Sequence, residues 1–133
     1  MQVLLPEGWP RPSGYSNGIA AEGRLVFVAG MVGWDETGKF PSDTLAGQFR
    51  KTLENTVAVL AEAGARPEHV VRMTWYITDK KEYLANIREI GQAYREVMGK
   101  VYPTMAVVQV VALMEDAAKV EIETTAVLPS AKG

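Results

Sequence analysis

The sequence contains no cysteine. Disulfides, thiolate nucleophiles and cysteine-bound metal are therefore excluded. There is one histidine, His69, so a multi-histidine metal centre is excluded as well. His69 ends the turn-like stretch Arg66-Pro67-Glu68-His69, and nothing sets a serine and an acid beside it as a catalytic triad would require. It reads as a solvated turn residue. No stretch approaches the roughly 20 apolar residues that span a bilayer. The opening residues, with only a three-residue apolar run and no basic region before it, do not form a secretory signal, and a cytoplasmic location is expected. Neither the phosphate-binding pattern GxxxxGK[ST] nor GxGxxG occurs. Basic residues are not in excess: 14 Lys and Arg stand against 16 Asp and Glu, for a net charge of −2. That balance argues against nucleic acid or an anionic membrane as partner.

What remains is an ordinary globular composition, 47% apolar and 23% charged, over 133 residues. The length suits one domain, residues 1–133, with a core of its own. The first 14 residues hold three prolines and two glycines and read as extended and irregular. Residues 15–21 and 24–32 read as two strands around a Glu22-Gly23 turn. Leu45, Phe49, Leu53, Val57 and Leu60 recur at helical spacing, with Gly64 placed to end the helix. Residues 70–78 are β-branched and aromatic, as in a strand. Asp79 and Glu82 form a capping-box pattern opening a second helix, with Tyr83, Ile87, Ile90, Tyr94, Val97 and Met98 as its apolar stripe and Gly99 as its stop. Residues 105–114 and 118–128 give two last strands joined through Glu115-Asp116-Ala117. The order is ββ-α-β-α-ββ, and helical crossovers imply a mixed sheet packed by two helices on one face.

Residues 105–114 are almost continuously apolar, whereas a half-exposed strand alternates. Both faces of this strand are thus expected to be buried. Two helices cover one face of such a sheet, so self-association is expected to cover the other.

On the last strand Glu121 and Glu123 share one face and Val120, Ile122 and Thr124 the other. A carboxylate pair suits acid–base chemistry; a solvated or ion-paired sheet edge explains it too. Trp75, Tyr76, Tyr83 and Tyr94 fall on regular elements and read as core. Trp34 lies in a loop, where it suits a pocket wall or an interface.

Several segments, in order and at matching spacing, carry a family resemblance. They are Gly14-Tyr15-Ser16-Asn17; the strand ending Val28-Ala29-Gly30-Met31; Gln48 with Thr52-Leu53-Glu54-Asn55 and Val59 to Gly64; Val70 to Asp79; Tyr102-Pro103-Thr104-Met105; and Val120-Glu121-Ile122-Glu123. The set resembles the RidA/YjgF family of enamine/imine deaminases and covers nearly the whole chain. The resemblance implies a chorismate-mutase-like α+β fold, a homotrimer whose sheets form a central barrel, and clefts between subunits. It also implies hydrolysis of reactive enamines and imines, such as 2-aminoacrylate, to a ketone and ammonia, with no cofactor. Carried over by position, the water-orienting glutamate falls on Glu121, the pocket tyrosine on Tyr15, and the substrate-holding backbone amides on Gly30 and Val107.

Four polar positions of the family pattern are apolar here. The arginine that grips the substrate carboxylate is Met105. The serine and glutamine flanking Gly30 are Ala29 and Met31. An asparagine of the second helix falls on Ile87, with Asn86 one place away. Methionine offers a flexible apolar surface and no charge-assisted bidentate bond. The expected protein is a divergent enamine/imine hydrolase acting on a small metabolite less polar than 2-aminoacrylate. The alternative is a non-catalytic trimer that binds such a metabolite. RNA cleavage, an older family label, is disfavoured by the acidic balance.

Overall fold

The helices follow from the spacing of their buried residues. The computed structural model describes residues 1–130. Helix α1 (Leu45–Glu62) buries Leu45, Gln48, Phe49, Thr52, Leu53, Thr56 and Leu60, a stripe at three- and four-residue intervals. Thr44 caps it by accepting from the Gly47 N–H, and Gly64, at φ 76°, ends it as expected. The buried Thr52 and Thr56 hydroxyls donate to the carbonyls one turn back, so neither is left unpaired.

The expected second helix is broken in two, α2 (Lys80–Ala85) and α3 (Ile87–Met98). The break is at Asn86, whose N–H is shared between the Glu82 and Tyr83 carbonyls and whose side-chain amide donates to Glu82. That side chain competes for the backbone, and φ there moves to −112°. Only half of the expected capping box forms. Asp79 accepts from the Glu82 N–H, but the Glu82 carboxylate pairs instead with Lys119 at 2.8 Å.

Four strands make the main sheet: β3 (Arg24–Met31), β4 (Val70–Ile77), β5 (Thr104–Gln109) and β6 (Val120–Leu128), in the order β3-β6-β4-β5. Strand β6 is antiparallel to both neighbours and β4–β5 is parallel, which gives the mixed sheet expected from helical crossovers. Helix α1 packs across β6 and β3 with α3 beside it, so both helices lie on one face. Val28, Met73, Trp75, Ile77, Val120, Ile122 and Ala126 point under them with Phe49, Leu53, Leu60, Ile90 and Tyr94. On the opposite face Leu25 and Phe27 are 57% and 71% exposed. Among the described residues no helix is long and apolar enough to cross a membrane.

Three expectations are corrected. The strand expected over 15–21 shrinks to β2 (Gly18–Ala20) and pairs with β1 (Gln2–Leu4), not with β3. Strand β1 lies inside the segment expected to be irregular. Gly23 does sit at φ 147°, where a Cβ would stand 2.2 Å from the Leu128 carbonyl oxygen, but it carries the chain from one sheet into the other. Finally, the apolar strand expected over 105–114 ends at Gln109, at the sheet edge. The Val110 N–H still bonds Ile77, and then the chain turns away. Within one chain the β5 side chains are partly or fully exposed, and Val111 and Met114 are fully so. The continuous apolar run is thus not covered by the chain's own core.

One buried amide joins the start of α1 to the loop that leads into β6. Gln48 donates to the Ser42 and Ala117 carbonyls and accepts from the Lys119 N–H, at 2.8 to 3.2 Å. Gln48→Ala would leave two part-buried carbonyls, of Ser42 and Ala117, and the part-buried Lys119 N–H without this partner. We expect it to lower unfolding free energy by about 3 kcal/mol in urea titration, since each orphaned group costs roughly 1–3 kcal/mol. A loss below about 1 kcal/mol would mean that water replaces the amide.

Candidate functional site

The alternation of β6 decides where the carboxylates go. Because Val120 and Ile122 are buried under the helices, Glu121 and Glu123 face the helix-free side. They share it with Tyr76 of β4, whose hydroxyl donates to Glu123 at 2.7 Å. That bond, with lesser burial and the nearby carboxylates, holds the Tyr76 phenol above its ordinary value. Glu121 has no hydrogen-bond or ion-pair partner among the described residues.

Strand β3 carries a bulge beside this carboxylate. Val28 pairs with Thr124 and Met31 with Ile122, so Ala29 and Gly30 together oppose one residue of β6. The bulge brings the Gly30 backbone against Glu121. A Cβ on Gly30 would stand 2.2 Å from Oε2, so any other residue there would have to displace the carboxylate from this position. Met31 turns back toward the core, partly buried, while Ala29 is exposed. The structure therefore brings Glu121, Ala29 and Gly30 together.

The other expected residues meet elsewhere. Ser16 donates its N–H to Pro103 and its hydroxyl to Tyr102, and bridges to Thr104 at the start of β5. These bonds hold Tyr15 beside the edge strand. Met105 and Val107 are in register with Met73 and Trp75 of β4 and so point to the helix side. With Ile87 at the start of α3, they open onto a cleft of about 400 Å³ between α3 and β5. Its walls also include Trp75, Tyr83, Tyr94, Tyr102, Gly91 and Arg95. A larger hollow, about 780 Å³, lies under the N-terminal arm; of the expected site residues it holds only Tyr15.

The expected residues thus form two groups, one on each face. Glu121 is in register with Tyr76, and Tyr76 with Val108 of β5. Two strand spacings, roughly 10 Å, and the thickness of the sheet lie between the Glu121 carboxylate and the Met105 cleft. One chain does not bring them together.

Trp75 and Tyr94, read from sequence as core, are buried and also form the cleft wall, at 5.8 Å between ring centres. The Trp75 indole N–H has no acceptor among the described residues. Gly91 and Arg95 were not singled out by sequence reasoning, although their spacing of four and eight residues from Ile87 puts all three on one helix face. Trp34 leans on Phe40 and does not line the cleft. His69 stays in its turn, where Nδ1 accepts from the Arg66 N–H. Among the described residues no cluster of three or more ligating side chains is placed to hold a metal.

Burial, with a smaller contribution from Tyr102, raises the Tyr94 phenol well above its ordinary value, and its hydroxyl donates to the Val101 carbonyl at 2.6 Å. The folded state therefore holds this proton longer than the unfolded chain. The stability it contributes is complete below the unfolded value, about 10, and is lost as pH rises beyond it. In an alkaline titration followed at the tyrosinate band, wild type and Tyr94→Phe should differ only once the near-UV circular dichroism has collapsed. A Tyr94-dependent step in the still-folded protein would show the cleft wall to be open to water.

Comparison with known proteins agrees with this architecture. The family model described as Endoribonuclease L-PSP matches residues 10–128. The chain is 34% identical over 129 residues to Reactive Intermediate Deaminase A of Arabidopsis thaliana, covering 96% of this chain and 66% of that one. The Rid-family protein YyfB of Yersinia pestis superposes with a TM-score of 0.83 at 32% identity, over 96% of this chain and 98% of that one. TdcF of Escherichia coli, solved with bound serine, superposes with a TM-score of 0.68 at 30% identity, over 96% and 99%.

Proposed function

The chain belongs to the RidA/YjgF family, and from that membership together with its two half-sites we propose that it hydrolyses an enamine or imine of a small metabolite in a cleft completed by a second copy of itself. The observation that carries this reading is the seating of Glu121 against the bulged backbone of Gly30, free of any competing partner among the described residues. A carboxylate so held is suited to accept a proton from water as that water adds to the carbon of a C=N bond. The tetrahedral carbinolamine then expels ammonia and leaves a ketone. An enamine reaches the same point after tautomerising to the imine. Water supplies the oxygen, and neither an oxidant nor a metal enters the balance.

Two copies are invoked because one sheet separates Glu121 from Tyr15, Met105 and Val107. The exposed apolar side chains Leu25, Phe27 and Val108, on the face the helices leave bare, support the same association. A trimer with the sheets innermost would cover that face and set the Glu121 side of one copy beside the β5 cleft of the next. Apolar Met105 and Ile87 in the cleft favour a substrate with a larger hydrocarbon part than 2-aminoacrylate. The acidic balance of the chain gives no support to RNA cleavage, despite the name the matching family carries.

Ammonia release should be measured on imines generated freshly from a panel of amino acids. The wild type should accelerate release from bulky apolar imines more than from the alanine-derived one. Glu121→Ala should lower the rate by about 10²–10⁴-fold, the usual worth of a positioned general base, without a change in melting temperature. Loss of no activity on this substitution overturns the mechanism. No release from any imine in the panel leaves the metabolite-binding alternative as the function of the fold.

Sedimentation equilibrium should give three times the chain mass of 14.5 kDa at micromolar concentration. A stable monomer would remove the shared cleft and the proposal built on it.

A further inference from the structure

Helix side chains lean toward the N-terminus of their helix, so Arg95 on α3 lies back over the turn that carries Gly91. The distance agrees: a Cβ at Gly91 would stand 3.3 Å from Arg95 Nη1. The guanidinium thereby enters the wall of the cleft that also holds Met105, and it is the only cation among the described lining residues. The nearest acid on the same helix is already engaged, since Glu96 pairs with Arg50 and accepts from Gln92. Arg95 itself has no ion pair among the described residues. We propose that Arg95 is the anion anchor of this cleft and that it selects carboxylates carrying an aromatic or similarly large apolar body.

The chemistry of the ligand follows from the walls. A guanidinium binds a carboxylate through two parallel charge-assisted hydrogen bonds. Tyr15, Trp75, Tyr83 and Tyr94 offer ring surface to a planar apolar group. Arg95 lies eight residues beyond Ile87, a span of about 12 Å along the helix. A carboxylate held there leaves the Ile87 end of the cleft to the rest of the molecule. A two- or three-carbon acid is too short to use both ends. The preference for carboxylate over other anions rests on the imine-hydrolase reading; the placement of the cation does not.

The test uses ligands that cannot react: 3-phenylpropanoate and its neutral amide, titrated calorimetrically into the full-length wild type, Arg95→Gln, Arg95→Lys and Glu121→Ala. The acid should bind wild type at least about tenfold more tightly than the amide, a modest figure for a charge-assisted bond at a partly solvated site. Arg95→Gln should bring the acid down to the affinity of the amide and leave the amide unchanged. Arg95→Lys should retain part of the preference, and the preference should fall as salt is raised. Melting curves of the variants should match wild type, since Arg95 is exposed and has no ion-pair partner among the described residues. Equal binding of acid and amide to wild type, undetectable binding of the acid, or an unchanged acid affinity in Arg95→Gln each overturns the assignment. Acid binding that survives in Glu121→Ala supports it. So does acid binding by a protein that releases no ammonia from any imine, an outcome that would sink the hydrolase and leave the anchor standing.

Discussion

The two-residue alternation of the central strand β6 constrains everything else in this molecule. Strand β6 is paired on both edges, and Val120, Ile122, Thr124 and Ala126 are buried beneath the helices. A shift of one residue would exchange all four with Glu121, Glu123, Thr125 and Val127, and no core of this size accommodates the two carboxylates. The register is therefore fixed by burial, and with it the direction of Glu121. The carboxylate faces the side without helices because its neighbours must face the side that has them.

The β3 bulge is the local answer to that constraint. A regular strand would carry a side chain up against the Glu121 carboxylate; the extra residue and the glycine bring backbone there instead. On the other face the edge strand β5 presents Met105 and Val107 to a cleft framed by α3. The helix break at Asn86 lets Ile87 begin a fresh helix at the cleft mouth rather than continue α2. The two half-sites thus arise from different elements and meet no shared side chain within one chain. Substitution on the cleft side leaves the carboxylate side untouched.

Local periodicity made most of the fold legible. The spacing of Leu45, Phe49, Leu53 and Leu60, the β-branched run from Val70, and the alternation from Val120 each state a face to bury, and each was found as read. The errors fall where pairing is long-range. Strands β2 and β3 look like a hairpin around Gly23, but β2 takes its partner from the first four residues, a choice no local pattern encodes. The run 105–114 is apolar at every position but Gln109, which signals burial without saying by what, and it contains no glycine or proline to mark the end of the strand there. Asn86 breaks its helix through side-chain bonds to the preceding turn, a contest that propensity alone does not decide. Of the candidate site, Glu121, Gly30, Tyr15 and Met105 are named only by their resemblance to a family pattern. Arg95 was not, because an arginine on a helix surface reads as solvated until the structure shows Gly91 making room for it.

The resemblance sets Met105 where the family pattern has an arginine, and we read that difference together with Arg95. A charge at position 105, on the strand and beside Met73, would be partly desolvated and would need its anion at once. A charge at Arg95 sits on an exposed helix face, where water covers its cost in the empty protein. A cation on the helix rather than on the strand lengthens the molecule that can touch both ends of the cleft. The floor, now Met105 and Val107 against aromatic walls, gains affinity for hydrocarbon in proportion to the area it removes from water. The apolar floor and the displaced cation therefore act in the same direction, toward an acid whose bulk lies between its carboxylate and the strand.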